Sequence, residues 1–264
     1  MTRGARLGQH FLTARWAAVS LARSVAAAPE ETILEIGPGK GMLTRELLAT
    51  GSRVVAIEKD ELLVEKLKET FASEIAQQRF ELISGDIRDF VPSRELLGDS
   101  YVLAANIPYY ITGEIIRQFL TTAHQPRAMA ILIQKEVAQR ITASKASILS
   151  LAVKAYGTPK IVEKVSRKCF SPAPSVDSAI LLINTISREF FSDLDETFFF
   201  DVVHAGFASK RKFLANNLGV KFGKEISLQA LTESALSEKV RAEEVPLASW
   251  KLIALSLHKN TSNN

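Results

Sequence analysis

The chain has 264 residues, 47% of them hydrophobic and 23% charged, with a formal net charge of +4, which excludes a disordered or fibrous protein. Its single cysteine, Cys169, excludes an internal disulfide, and its four histidines lack the spacing of metal ligands, so no metal site is predicted. No apolar run approaches the roughly 18 residues that a membrane span needs, and we expect a cytoplasmic protein with no membrane partner.

The predicted elements alternate between helices and strands over the first two thirds of the chain. An amphipathic helix capped by Thr13 comes first. Strands are predicted over residues 32–36, 53–57, 80–83, 101–105 and 128–133. Helices are predicted over residues 42–49, 60–72, 113–121 and 135–141. This alternation predicts an α/β fold with a doubly wound, mainly parallel sheet.

The later part of the chain has a different pattern. Residues 147–156 fit a helix, although a strand is also compatible with their apolar spacing. Strands at 160–165 and 176–185 flank a loop and predict an antiparallel hairpin at the sheet edge. Helical patterns at 193–207, 210–218, 228–236 and 247–257 then follow without strands between them. We therefore expect one domain over residues 1–188 and a small all-α domain over 189–264.

A glycine-rich loop follows the first strand of the predicted sheet. The sequence EIGPGKG at residues 35–41 ends that strand in a tight turn, and glycines there let a ligand approach the backbone. Glu58 ends the next strand, where an acid can bind ribose hydroxyls. The glycine spacing is not that of dinucleotide sites or of phosphate-binding loops, so an oxidoreductase or a nucleoside triphosphatase is disfavoured.

Two further polar motifs follow later strands. Asp86, in Gly85-Asp86-Ile87, can accept a hydrogen bond from the amine of a bound adenine, or it can simply form an Asx turn. Asn106 begins NIPYY, where the proline makes a rigid turn that offers an amide, a carbonyl and an aromatic ring. Because Gly37, Glu58, Asp86 and Asn106 end four successive strands, we expect them to line one cleft.

Basic residues are unevenly distributed. Arg3 and Arg6 lie among arginines that precede the first acidic residue, Glu30, and Lys210-Arg211-Lys212 form a second cluster. Such patches suit a polyanion such as nucleic acid, although each alone can be an ordinary solvated face.

In order along the chain, these motifs resemble those of class I S-adenosylmethionine-dependent methyltransferases, and NIPYY is similar to the N-x-P-Y motif of enzymes that methylate amino groups of bases. The sequences GQHFL (8–12), QKEVAQRI (134–141), FSPAPSVDSAI (170–180) and AGFASKRKFLANNL (205–218) further resemble the ribosomal RNA small subunit adenine dimethyltransferases of the KsgA type. His10, where asparagine is common, and Ser175, where lysine is more usual, depart from that pattern.

The resemblance implies a Rossmann-like methyltransferase domain that dimethylates N6 of two adjacent adenines in a hairpin loop near the 3′ end of small-subunit rRNA, with a role in subunit biogenesis. It implies S-adenosylmethionine as cofactor, rRNA or the small subunit as partner, and a monomer. Asn106, Ile107, Pro108, Tyr109 and Phe170 are the expected catalytic residues, Tyr109 and Phe170 stacking on the target base. The expected cofactor-binding residues are Gln9, His10, Leu12, Gly37, Gly39, Glu58, Lys59, Asp86, Ile87 and Asn106. The expected RNA-binding residues are Arg3, Arg6, Lys210, Arg211 and Lys212.

Two alternatives remain open at this point. A large-subunit rRNA methyltransferase of the macrolide-resistance type would use the same chemistry. A noncatalytic RNA-binding assembly factor would retain the fold, although the intact NIPYY and glycine loop disfavour it.

Overall fold

Strands and helices alternate through the first half of the chain, and helices alone form its last part. The computed structural model describes residues 10–262. The strands are β1 (Phe11–Leu12), β2 (Thr32–Ile36), β3 (Val54–Glu58), β4 (Phe80–Ser84), β5 (Tyr101–Asn106), β6 (Ala128–Gln134), β7 (Thr158–Val165), β8 (Phe170–Ser171) and β9 (Ser178–Asn184). The helices are α1 (Arg15–Ser24), α2 (Met42–Leu48), α3 (Glu61–Thr70), α4 (Ala72–Ala76), α5 (Arg94–Leu97), α6 (Thr112–Thr121), α7 (Lys135–Thr142), α8 (Ile148–Tyr156), α9 (Glu196–Gly206), α10 (Leu214–Phe222), α11 (Lys224–Glu233) and α12 (Leu247–Ser262).

The main sheet has seven strands in the order β4-β3-β2-β5-β6-β9-β7. The strands from β4 to β6 are parallel, whereas β9 runs antiparallel to both β6 and β7. The predicted doubly wound, Rossmann-like sheet with an antiparallel edge hairpin is therefore confirmed. Strand order reverses beside β2, because β3 lies on one side of it and β5 on the other. In open α/β sheets, ligands bind at the carboxyl ends of the strands at such a switch point.

The central strands are covered on both faces, and apart from Thr32, Glu35 and Glu58 their buried residues are apolar. All five residues of β2 and of β3 are buried, as are the first five residues of β5. Parallel strands between helical layers typically have such continuous apolar runs. This burial fixes the position of the polar residues at the ends of these strands.

A second, two-stranded sheet was not predicted. In it β1 pairs antiparallel with β8, Phe11 opposite Ser171 and Leu12 opposite Phe170. Thr13 belongs to this junction, because its hydroxyl donates to the Cys169 carbonyl at 2.9 Å. The prediction that Thr13 caps α1 was therefore wrong, and the N-cap is Ala14.

Three other local predictions can be compared with the structure. The helix expected over 60–72 is divided into α3 and α4 at Phe71, whose ring packs edge-on against Phe80 at 5.3 Å between centroids. Residues 148–156 form a helix, α8, rather than a strand. The helix expected from Lys210 begins at Leu214, so the basic cluster lies in the turn before it.

Contacts divide the chain into two units. The first extends to Gln139 and also contains Gly157–Ile186, and the second contains Arg140–Tyr156 and the chain from Ser187 onward. The predicted domain division, after residue 188, assigned 140–156 to the first part. The difference arises from α8, whose Leu151 and Ala155 pack in the core of the second unit around the fully buried Trp250. Within residues 10–262, none of the helices combines the length and apolarity needed to cross a bilayer.

Candidate active site

A cavity opens at the carboxyl edge of the main sheet, in the first unit. Gly37, Glu58, Asp86 and Asn106 all line it, each at or just after the end of β2, β3, β4 or β5. The other predicted site residues on its wall are His10, Leu12, Gly39, Lys59, Ile87, Ile107, Pro108 and Tyr109. The cavity therefore brings together most of the side chains that the motifs indicated.

The glycine loop leaves open space in front of its first glycine. Gly37 has a φ of +63°, and a Cβ placed on it would meet no atom within 4 Å. By contrast, a Cβ on Gly41 would lie 2.7 Å from the Phe71 ring. Gly41 is thus required for packing, whereas the space at Gly37 can hold a ligand against the backbone.

The Glu58 carboxylate is held rigidly at the cavity wall. One oxygen accepts the Gly39 N–H at 3.0 Å, and the other accepts the N–H groups of Lys59 and Asp60, both at 2.9 Å. Its residue is only 3% exposed. A carboxylate offers about four acceptor positions, so one remains for a ligand hydroxyl.

The Asp86 carboxylate lies between two cations. Arg88 donates to it through Nε and Nη2, and Lys59 donates through Nζ at 2.8 Å. The Arg88 guanidinium, followed by Lys59, holds the pKa of Asp86 well below its usual range. Asp86 is therefore ionised at any pH near neutrality and can only accept hydrogen bonds.

The Asn106 side chain has a fixed orientation. Its Nδ2 donates to the His10 carbonyl at 3.2 Å. Because that carbonyl can only accept, the amide must turn its Oδ1 the other way, and no donor among residues 10–262 bonds to Oδ1. Ile107 follows on the cavity wall and is 2% exposed. The turn thus carries an oriented amide oxygen beside a peptide carbonyl.

Tyr109 packs between His10 and Ser178 of β9. Its hydroxyl is 2.7 Å from the Ser178 hydroxyl, and its ring stacks on His10 with centroids 5.8 Å apart. The His10 Nδ1 in turn donates to the Pro172 carbonyl at 2.8 Å. Burial raises the pKa of Tyr109, so its hydroxyl stays protonated and the ring remains neutral.

The structure does not bring all the predicted residues to the cavity. Phe170 is 5% exposed, lies in the hydrophobic core and is absent from the cavity wall. Its backbone pairs with Leu12, so it holds β1 against β8. Gln9, Arg3 and Arg6 lie outside the described residues.

The basic cluster belongs to the second unit. Lys210, Arg211 and Lys212 are all exposed, and none forms an ion pair with another residue of the described part of the chain. Asn217, which is 3% exposed, supports the preceding turn by donating to the carbonyls of Gly206 at 2.6 Å and Ser209 at 2.9 Å. No role was predicted for Asn217. Only its position in the 205–218 motif could have indicated one.

Three residues of the first unit were also missed. Gln118 donates to the carbonyls of Ile87 and Phe90, both at 2.9 Å, and so ties the loop after Asp86 to α6. Arg88 and the 72% exposed Tyr110 line the cavity as well. A lone glutamine or arginine beside a motif gives no sequence signal for such contacts.

Glu35, in the glycine-loop motif, is fully buried in β2. Neither of its oxygens has a hydrogen-bond partner among the described residues. Burial raises the pKa of this carboxyl to about 8 against an opposing effect of the neighbouring Thr44, and the charge of Glu58 adds to the rise. Glu35 is therefore neutral at pH 7.

Comparison with known proteins identifies the family of this chain. The sequence model of the family described as "Ribosomal RNA adenine dimethylase" matches residues 2–259. The chain belongs to this family. It is accordingly an rRNA adenine methyltransferase, and the cavity at the sheet edge is the candidate site for that reaction.

Relatives of this dimethylase extend over nearly its whole length. A protein of Dehalococcoides mccartyi named "Ribosomal RNA small subunit methyltransferase A" is 36% identical over 260 residues, covering 96% of this chain and 88% of the relative. A protein of the same name from Clostridium perfringens is 34% identical over 264 residues, covering 97% and 91%.

Solved structures have the same fold. A dimethyladenosine transferase from Plasmodium falciparum has a TM-score of 0.84 at 22% identity, covering 96% of this chain and 98% of its own. The 23S rRNA methyltransferase ErmE has a TM-score of 0.76 at 24% identity, covering 94% and 99%. At these identities the likeness concerns the fold and does not separate small-subunit from large-subunit substrates.

Proposed function

We propose that the enzyme uses S-adenosylmethionine to dimethylate N6 of two adjacent adenines in a hairpin loop near the 3′ end of small-subunit rRNA, as a step of subunit biogenesis. The small-subunit assignment is supported by the names of relatives that are 34–37% identical over nearly the whole chain. The adenine chemistry is supported most by one observation: the oriented Asn106 amide lines the same cavity as Gly37, Glu58 and Asp86.

The residues of the cavity suit the cofactor. The space before Gly37 and Gly85, where an added Cβ would meet nothing within 4 Å, can take an extended ligand along the backbone. The buried Glu58 carboxylate suits the ribose hydroxyls, the ionised Asp86 suits the adenine amine, and Ile87 supplies an apolar wall. His10, Leu12, Gly39 and Lys59 would complete the binding site. When bound, S-adenosylmethionine supplies an electrophilic methyl group on a sulfonium.

The chain itself supplies position and polarity. The amine of adenine is a weak nucleophile, because its lone pair is delocalised into the ring. We infer that Asn106 Oδ1 and the Ile107 carbonyl accept its two hydrogens, which favours a tetrahedral nitrogen with its lone pair directed outward. Two fixed acceptors of this kind stabilise developing positive charge on the nitrogen. No side chain is needed as a strong base, and the proton is released to water after transfer.

Tyr109 is the proposed stacking residue for the target adenine, since base–aromatic stacking contributes about 1–3 kcal/mol. The adenine must be unpaired or flipped to reach the cavity, which suits a hairpin loop. Pro108 keeps the turn rigid. The exposed Lys210, Arg211 and Lys212 are proposed to bind the RNA backbone, and we propose a monomer that acts on the small subunit in the cytoplasm.

One experiment tests the proposal. The protein is incubated with radiolabelled S-adenosylmethionine and, separately, with immature small or large ribosomal subunits, and the digested RNA is analysed for N6,N6-dimethyladenosine. We expect label on the small subunit alone. Label on the large subunit would contradict the proposed small-subunit substrate. Cofactor binding without label on either subunit would favour a noncatalytic assembly factor.

A variant tests the role of the amide. Asn106→Ala is expected to reduce methyl transfer by at least about 100-fold, comparable with loss of one positioned hydrogen-bonding group from an active site. Calorimetry should find cofactor affinity changed by less than about threefold, because Glu58 and Asp86 are intact. Unchanged turnover would refute the role of Asn106.

A further inference from the structure

The acceptor positions of Asp86 are filled by the protein itself. Its Oδ1 accepts the backbone N–H and the Nε of Arg88, both at 3.0 Å. Its Oδ2 accepts Arg88 Nη2 at 2.5 Å and Lys59 Nζ at 2.8 Å. Since a carboxylate has about four lone-pair positions, these four donors leave none for another donor. An adenine amine can bind Asp86 only if one of them leaves.

Arg88 is the donor whose release frees most of the carboxylate, although the Lys59 side chain is the more exposed of the two, at 59% against 47%. Its backbone N–H is fixed, because Asp86 caps the short 3₁₀ helix Ile87–Asp89 through that group. The Arg88 side chain is 47% exposed, so it can turn toward water without breaking the core. It also covers both oxygens of Asp86, whereas Lys59 contacts Oδ2 alone. Removing the guanidinium would free an acceptor position on each oxygen.

The cavity rim gives the released side chain a second place to bind. Arg88 lines the cavity together with Tyr110, which is 72% exposed. An arginine beside an exposed aromatic ring is a common surface for single-stranded nucleic acid, with the guanidinium on a phosphate.

We propose that Arg88 occupies the adenine-recognising carboxylate of Asp86 in the cofactor-free enzyme, and that cofactor binding releases its guanidinium to the rim, where it binds an RNA phosphate. This inference rests on the proposed function of the cavity. It has two consequences: Arg88 competes with the cofactor, and the cofactor strengthens RNA binding. By linkage, RNA then strengthens cofactor binding by the same factor.

The first consequence is tested by calorimetry with S-adenosylhomocysteine. We expect Arg88→Met to bind this ligand about two- to fivefold more tightly than the wild type, the range expected for breaking a partly exposed ion pair. Arg94→Met is the matched control, since Arg94 is also exposed, pairs with Asp99 and does not line the cavity. It should leave the affinity unchanged.

Two features of the ligand separate this mechanism from a general charge effect. S-Adenosylhomocysteine has no sulfonium, so loss of a nearby positive charge does not by itself favour it. S-Inosylhomocysteine carries a carbonyl in place of the amine, so the group at this position can only accept and cannot donate to Asp86. The gain in Arg88→Met should therefore disappear with the inosine analogue.

The second consequence is tested with immature small subunits. Saturating S-adenosylhomocysteine should strengthen their binding to the wild type about two- to fivefold, and this gain should be absent in Arg88→Met. Thermal unfolding confirms that the variants fold. Equal or weaker binding of S-adenosylhomocysteine by Arg88→Met overturns the inference. If the ligand strengthens subunit binding by Arg88→Met as much as by the wild type, the proposed phosphate contact of Arg88 is overturned. If the wild type fails to bind the ligand at all, the proposed function is refuted instead.

Discussion

The buried carboxyl of Glu35 leads to a prediction about stability and pH. In the folded protein its pKa is raised from 4.5 to about 8 by burial. Between these values the folded state keeps a proton that the unfolded state has lost. Stability therefore falls as pH rises through this window, by about 1.4 kcal/mol per pH unit for this one group. The contribution is smallest below pH 4.5 and reaches its full unfavourable value above pH 8.

Glu35→Gln removes this titration while nearly preserving the shape of the side chain. Between pH 5 and pH 8 the wild type should lose about 3–4 kcal/mol of unfolding free energy relative to the variant, as integration over the two pKa values gives. The free energies are measured by urea denaturation at pH 5, 6.5 and 8. Titrating groups that do not interact with Glu35 contribute equally to both proteins, so they cancel in the difference.

Glu69→Gln provides the control. Glu69 is exposed on α3, so Glu69→Gln makes the same chemical change at the surface without altering a buried carboxyl. Parallel curves for the wild type and Glu35→Gln would refute the reasoning, because they would mean that the carboxyl is solvated or paired in the folded state.

Three further predictions concern other parts of the chain. Gly85→Ala, in open space on the cavity wall and without positive φ, should weaken S-adenosylmethionine binding about tenfold in calorimetry without lowering Tm. Gly113→Ala, in equally open space but not on the cavity wall, should leave the affinity unchanged, also without lowering Tm. Glu31→Gln should lower the unfolding free energy by about 2 kcal/mol at pH 7, a value reduced because its partner Arg127 is 42% exposed. Arg127 lowers the pKa of Glu31 from 4.5 to about 2, so the difference between the two proteins should disappear as pH falls through this window in denaturation measurements. Asn217→Leu removes the donor to two carbonyls and should lower the unfolding free energy by about 1–3 kcal/mol, seen as a lower Tm; an unchanged Tm would mean that water replaces the amide.

The sheet and the cleft could be predicted because their causes are local. Buried parallel strands need continuous apolar runs, and their ends meet at one edge, so Gly37, Glu58, Asp86 and Asn106 had to lie near each other. What could not be predicted depends on contacts between distant segments. The pairing of β1 with β8, and with it the burial of Phe170, has no signature in two-residue strands.

The ion pairs around the cleft could not be predicted from the sequence either. Asp86 was expected to face an adenine, but nothing in the sequence indicated that Arg88, two residues away, would turn back onto its carboxylate. The contact depends on the side-chain rotamer at the start of a 3₁₀ helix. The motif thus predicts the position of the acceptor, whereas its ion pair with Arg88 depends on the folded conformation.

The β1–β8 pair gives the loop after Cys169 an indirect part in the proposed chemistry. The Asn106 amide is oriented by the His10 carbonyl, and the His10 ring is held by the Pro172 carbonyl. Leu12 and Phe11 pair with Phe170 and Ser171, so the segment that orients Asn106 is itself fixed by that loop. Because the amide must present Oδ1 to the target amine, the FSPAPS motif contributes by holding His10 in place. This accounts for a buried Phe170 in a motif that the sequence associates with catalysis.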